Sequence, residues 1–182
     1  MKVNVKIKRL SEDAVIPKYA HEGDAGFDIV ASEDVIIEPG ETKIVPTGLA
    51  IALPPGYEAQ IRPRSGITVK TKLRVQLGTI DAGYNGEIGI IVDNIAPIVF
   101  ETVKDEEGKR FESFTSSVIY DIKHTFVKTD GEYIDGAYLV RKGDRLAQIV
   151  INQVEQVQFS IVEELDKTER GAGGFGSSGV TS

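Results

Sequence analysis

"TKIVPTGLAIALPPGYEAQIR", residues 42–62, decides the fold class. Its apolar runs are short. Proline and glycine cut them at close intervals, with Pro54-Pro55-Gly56 as the sharpest break. Such punctuation marks turns between strands, and it leaves no room for a helix. The same texture extends in both directions. Upstream, "VNVKIK" (3–8) alternates with period two, and "DVIIE" (34–38) runs into Pro39-Gly40. Downstream come "KLRVQL" (72–77), "GEIGIIV" (86–92), "YLV" (138–140), "LAQIVI" (146–151) and "VQFSIV" (157–162). No window of helix length carries a sustained 3.6-residue apolar stripe, and the best candidate, near 72–77, is weak. The reading is an all-β chain built as a sandwich, jelly roll or barrel, with neither an internal repeat nor a long linker.

Composition bounds the function. The chain has 182 residues, 41% hydrophobic and 27% charged, enough for one domain with a core. No apolar run can span a bilayer, and "MKVNVKIKRL" lacks the apolar centre of an export signal. There is no cysteine, so disulfides and thiolate metal sites are excluded, which fits a cytoplasmic location. Two histidines cannot build a multi-histidine zinc site within one chain. The net charge of −7 disfavours extended nucleic-acid binding, which needs a basic face. A small anionic ligand stays open, because a few arginines in one cleft outweigh the global charge locally.

Residues 95–138 differ in texture. A charged run, "ETVKDEEGKRFE", precedes two β-rich runs, "SFTSSVIYDIKHTFVKT" and "EYIDGAYLV", joined by Asp130-Gly131. Asp-Gly between β-rich runs predicts a hairpin turn there. The aromatics Phe114, Tyr120, Phe126 and Tyr133 of this stretch either stabilise the extra hairpin or form an exposed anchor patch.

Five glycine-flanked loops carry the candidate chemistry: "DAGFDIVAS" (24–32), "RPRSG" (62–66), "GTIDAGYNGEIG" (78–89), "RKGDRLAQIVI" (141–151) and "RGAGGFGSSGVTS" (170–182). Three set an arginine beside small residues: Arg64, Arg145 and Arg170. Glycine lets backbone N–H groups approach an anion, and arginine offers a planar fork to phosphate oxygens. A Walker phosphate loop is absent, so a phosphate site would be assembled from several loops. Asp28 and Asp81 supply carboxylates for a hard cation or a water.

In this order the segments "AGFDIVAS", "RSG", "GTIDAGYNGEI", "GDRLAQIVI" and "RGAGGFGSSG" resemble the five motifs of the homotrimeric dUTP pyrophosphatases (dUTPases). The likeness covers about residues 20–94 and 139–179. Phe27 and Asn85 depart mildly, standing where the family often has tyrosine and arginine.

The resemblance implies a distorted jelly roll or β-barrel with an extra β-rich insert. It implies one domain: core 1–94 and 139–169, insert 95–138, and a mobile glycine-rich lid 170–182. It implies hydrolysis of dUTP to dUMP and pyrophosphate by in-line attack of water on the α-phosphorus. Asp81 matches the general base, and Tyr84 the ring on which deoxyribose packs. Gly78, Ile80 and Ile88 match the backbone that reads uracil. Arg64, Ser65, Gly66, Gln148, Arg170 and Ser177 match the phosphate ligands. Phe175 matches a ring stacked on the base, beside Gly176. Asp28 matches a carboxylate that meets Mg²⁺ through water. Arg145 has two readings, holding Asp144 or a neighbouring loop, or touching ligand. The resemblance further implies a homotrimer with shared active sites. Inserts like 95–138 occur in a phage-encoded branch, some members of which capture a transcriptional repressor, and that would put the protein in a host cytoplasm. A dCTP deaminase shares the core, but the glycine-rich fifth segment argues against it.

Overall fold

The computed structural model describes residues 3–104 and 106–173. Its strands are β1 (Lys6–Arg9), β2 (Phe27–Val30), β3 (Val35–Ile37), β4 (Thr42–Pro46), β5 (Leu49–Ala52) and β6 (Tyr57–Pro63). One short helix, α1 (Ser65–Lys70), follows. Then come β7 (Leu73–Val75), β8 (Gly78–Asp81), β9 (Gly89–Asn94), β10 (Glu101–Lys104) and β11 (Arg110–Ser113). The last are β12 (Thr115–Asp121), β13 (Phe126–Ile134), β14 (Tyr138–Val140) and β15 (Arg145–Gln153). The chain is all-β, as its texture predicts, though its described sheets do not close into a barrel.

Three sheets build the body, in the orders β2-β15-β6-β8, β4-β9-β7 and β13-β12-β14-β3. Two smaller pairs, β1-β5 and β10-β11, complete it. Period-two patterning explains the core: along β6, Ala59 and Ile61 are buried, while their neighbours Gln60 and Arg62 are half-buried. Ile29, Leu49, Leu73, Ile90, Leu146 and Ile149 are almost wholly buried in one cluster. Each such side chain contributes about 1.5–3 kcal/mol by leaving water. Buried Asn94 ties the sheets together. Its Nδ2 donates to the Ile37 and Gly136 carbonyls, both at 2.9 Å, and its Oδ1 accepts from Ala96 N at 3.0 Å. Among the described residues, no helix is long and apolar enough to cross a membrane.

Several details differ from the sequence reading. Residues 27–30 and 78–81, read as parts of glycine-flanked loops, form β2 and β8. The helix lies at 65–70, not near 72–77, where Leu73 and Val75 are instead the buried positions of β7. It buries only Ile67, so it has no apolar stripe to detect. Asp130-Gly131 is not the hairpin turn; it lies within β13. The chain reverses between β12 and β13 at 121–125, where His124 takes a φ of +65°. Asp130-Gly131 forms a bulge instead, where the β12–β13 register shifts between Ser116 and Val118. Thr129 Oγ1 bridges it, donating to the carbonyls of Ser117 and Gly131. Finally, "VQFSIV" is not a strand here. Val157, Phe159 and Ile161 are 72%, 88% and 102% exposed, without a sheet partner among the described residues.

The β12–β13 hairpin is built into the body. β12 pairs parallel with β14, which pairs antiparallel with β3. Ile119 and Ala137 are fully buried. β14 begins at Tyr138 and so straddles the expected boundary between insert and core.

Candidate active site

The first half of the site is a cavity of 230 Å³ whose lining includes Gly78, Ile80, Asp81, Tyr84 and Ile88. All five are residues that the motif reading singles out. β8 positions the first three through its pairing with β6, where Gly78 faces Ile61 and Asp81 faces Glu58. A tight turn follows, closed by Tyr84 N donating to the Asp81 carbonyl at 3.0 Å. Asp81 stands exposed at the lip, and Ile80 and Ile88 are buried beneath it. The Tyr84 hydroxyl donates to the Glu87 carbonyl at 2.9 Å, which lays the ring across the loop. Gly86 is what permits this: a Cβ there would lie 2.5 Å from the Tyr84 hydroxyl and 2.6 Å from Cζ. Gly86 is a site residue the motif reading passed over, although it lies inside the quoted segment.

The second half gathers around Asp28. On β15, Gln148 faces Asp28 of β2 on one side and Arg62 of β6 on the other. Arg64 Nε meets Asp28 Oδ1 at 2.8 Å, and Arg145 Nη1 meets Oδ2 at 3.4 Å. Arg64 Nη1 donates to the Arg145 carbonyl at 2.7 Å. Gln148 Nε2 donates to the Pro63 carbonyl at 3.2 Å. Ser65 and Gly66 open α1 and are exposed. The result is a small cationic surface around one carboxylate, suited to phosphate oxygens. Arg145 thus meets the neighbouring segment 24–32 through Asp28. It does not hold Asp144, whose Oδ2 instead accepts from Arg141 N at 2.8 Å. Asp24, unremarked in the sequence, joins Asp28 and Gln148 around a further cavity.

One chain does not bring these halves together. Asp81 sits opposite Glu58 near the start of β6, and Arg64 follows its far end. At the rise of an extended strand, that is a separation on the order of 20 Å. The tail adds a third part. Arg170 is exposed, and its Nε donates to the Gly173 carbonyl at 2.8 Å. Phe175, Gly176 and Ser177 lie outside the described residues.

Asp28 suits water-mediated contact with a metal better than direct ligation, since both its oxygens already face arginines. Among the described residues, no group of three or more His, Asp or Glu side chains could hold an ion. This donor set fits Mg²⁺ arriving on a polyphosphate with its own waters.

An all-β chain with a carboxylate-bearing hairpin cavity and a separate cationic phosphate surface has the parts of a nucleotide hydrolase, and comparison identifies which. The dUTPase family model matches residues 12–111 and 136–179, leaving out the whole β12–β13 hairpin. The chain belongs to the dUTPase family, enzymes that hydrolyse deoxyuridine triphosphate. A deoxyuridine 5′-triphosphate nucleotidohydrolase from Crocosphaera subtropica is 42% identical over 180 residues, covering 98% of this chain and 100% of the relative. One from Clostridium kluyveri is 38% identical, covering 96% of each. The dUTPase of Staphylococcus bacteriophage 80alpha with dUpNHpp superposes with a TM-score of 0.84 at 34% identity, covering 97% of this chain and 99% of that one. The dUTPase of phage phi11 of S. aureus, solved to visualise its species-specific insert, gives 0.77 at 33%, covering 91% and 99%. A mutant form of the phi11 enzyme concerns the coordination of a structural Mg(II) ion.

Proposed function

We propose that the protein hydrolyses dUTP to dUMP and pyrophosphate with Asp81 as general base, in a site shared between the subunits of a homotrimer. The observation that carries this reading is the cavity in which Gly78, Ile80, Asp81, Tyr84 and Ile88 meet. Its backbone edges suit the fixed donor and acceptor pattern of uracil, and mismatch the amino group of cytosine. The Tyr84 ring packs under the deoxyribose and excludes a 2′-hydroxyl. Asp81, exposed at the lip, orients and deprotonates the attacking water. Arg64, Ser65, Gly66 and Gln148 of a neighbouring chain hold the phosphates. Arg170, Phe175, Gly176 and Ser177 close over base and phosphates as a lid. Asp28 holds the waters of Mg²⁺, which neutralises phosphate charge when bound. The separation of Asp81 from Arg64 along β6 supports sharing between chains. The test is turnover of dUTP, dTTP, dCTP and UTP with Mg²⁺. Selective dUTP hydrolysis is expected, and ammonia release from dCTP would overturn it.

A second reading adds a protein partner. The 80alpha dUTPase is described as controlling transfer of virulence genes by a proto-oncogenic G protein-like mechanism. Here Phe114 and Phe126 are 43% and 69% exposed, as an anchor patch requires. Tyr120 and Tyr133 are only half-buried, and Tyr120 packs on the core. Capture of a transcriptional repressor, lost in Phe126→Ala with hydrolysis retained, is the outcome this reading expects.

A further inference from the structure

We propose that Asp121 is a positioning residue for triphosphate binding: through Arg141 it fixes the turn that holds Arg64 and Arg145 in place. This rests on the dUTP-hydrolysing function above. Asp121 lies in the hairpin stretch that the family model leaves unmatched, yet its contacts lead to the phosphate side. It is 5% exposed. Its Oδ1 accepts from the backbone N–H groups of Lys123 and Thr125, both at 2.9 Å, and so organises the hairpin turn. Its Oδ2 does something else, accepting from Arg141 Nη1 at 3.0 Å.

Arg141 opens the next tight turn. Its N–H donates to Asp144 Oδ2 at 2.8 Å, and Asp144 N donates back to the Arg141 carbonyl at 2.9 Å. Gly143, with φ of +87°, donates to the Ala31 carbonyl at 2.8 Å. Lys142 N donates to Asp34 Oδ1 at 2.7 Å. Arg145 comes next, and its carbonyl accepts from Arg64 while its guanidinium faces Asp28. The Arg64 fork is thus aimed by a carbonyl at the end of a turn whose first residue is held by Asp121. A shift of the Arg145 carbonyl moves the fork, and a small misplacement of a phosphate ligand weakens binding.

The two carboxylate oxygens have separate tasks, so Asp121→Asn separates them. Its Oδ1 still receives both N–H groups, but its NH₂ faces the Arg141 guanidinium. Arg141→Gln removes the same contact from the more exposed partner and leaves the hairpin turn untouched. The measurements are KM and kcat for dUTP, Kd for the non-hydrolysable α,β-imido analogue and for dUMP, and melting temperature. Each variant is expected to raise KM and the imido-analogue Kd roughly three- to tenfold, while dUMP affinity and kcat change by less than about twofold. The double variant is expected to be no weaker than either single one. Equal losses for dUMP and triphosphate, additive losses, or a lowered melting temperature with unmoved KM would each overturn the proposal. Absence of wild-type dUTP turnover would overturn the underlying function instead.

Discussion

Asp81 and Arg64 stand at opposite ends of β6, one paired to its first half and the other following its last residue. In the proposed shared site the two come from different chains of a trimer. Mixing Asp81→Asn and Arg64→Ala proteins, each inactive alone, is then expected to restore turnover. Any hybrid trimer holds one site with both residues intact, so an equal random mix recovers about a quarter of wild-type activity. No recovery after subunit exchange would place the site within a single chain.

Asp81→Asn alone keeps the turn, because Tyr84 N bonds the Asp81 backbone carbonyl and not its side chain. The expected result is a fall in kcat of about 10²–10⁴ with dUTP binding retained. Steady-state kinetics beside calorimetric binding of the imido analogue checks this, and unchanged kcat refutes the base assignment.

Gly86→Ala tests the ring. The added methyl collides with Tyr84 Cζ and its hydroxyl, so the ring must leave its place. The loss in kcat/KM for dUTP is expected to be about 10–100-fold, and the preference for dUTP over UTP to narrow. Measured on both nucleotides, an unchanged ratio would mean that Tyr84 does not exclude the 2′-hydroxyl.

Truncation before Arg170 should spare the fold, since the described bonds of 170–173 are local, to Thr168 and within the segment. The melting temperature is expected to hold while turnover falls at least about a hundredfold. Full activity in the truncated protein would make the glycine-rich end an ordinary tail.

Asp121 predicts an acid-sensitive contribution to stability. Burial pushes its carboxyl up, but the Thr125 and Lys123 N–H groups and the Arg141 guanidinium outweigh this and hold it below its ordinary 3.8. A lowered folded value means that the contribution is complete above the unfolded value and fades as pH falls through the folded one. Urea unfolding should show Asp121→Asn less stable than wild type by about 1–3 kcal/mol at pH 7, with the gap closing below about pH 4. A gap independent of pH would refute the ionic part of the contact.

The central strands flanked on both sides were legible, whereas the edge strands β2 and β8 were hidden inside glycine-flanked segments. "YEAQIR" and "LAQIVI" pair with each other, and their alternation is the alternation of their shared sheet. "VQFSIV" has the same alternation, but pattern alone cannot say whether a partner exists. The helix at 65–70 escaped because it is brief and buries one side chain. Asp130-Gly131 was legible as an irregularity, and its kind was decided by the register of β12 with β13. At the site, the motif reading named Gly78, Ile80, Asp81, Tyr84 and Ile88, but not Ile61, Gln76 or Ile91, which also line the cavity, nor Gly86, whose role depends on where one ring lies. Neither the separation of Asp81 from Arg64 nor the path from Asp121 to Arg64 can be read from spacing, because both are facts of strand register and turn geometry.

The pairing of β14 with β3 joins residues on the order of 100 positions apart, whereas β12 and β13 are neighbours in sequence. A hairpin closes within microseconds, but a contact that distant must first overcome the entropy of a long loop. The β12–β13 arm thus has secondary structure available long before it has a sheet to join. In refolding, its far-ultraviolet signal should lead and the burial of Ile119 should trail.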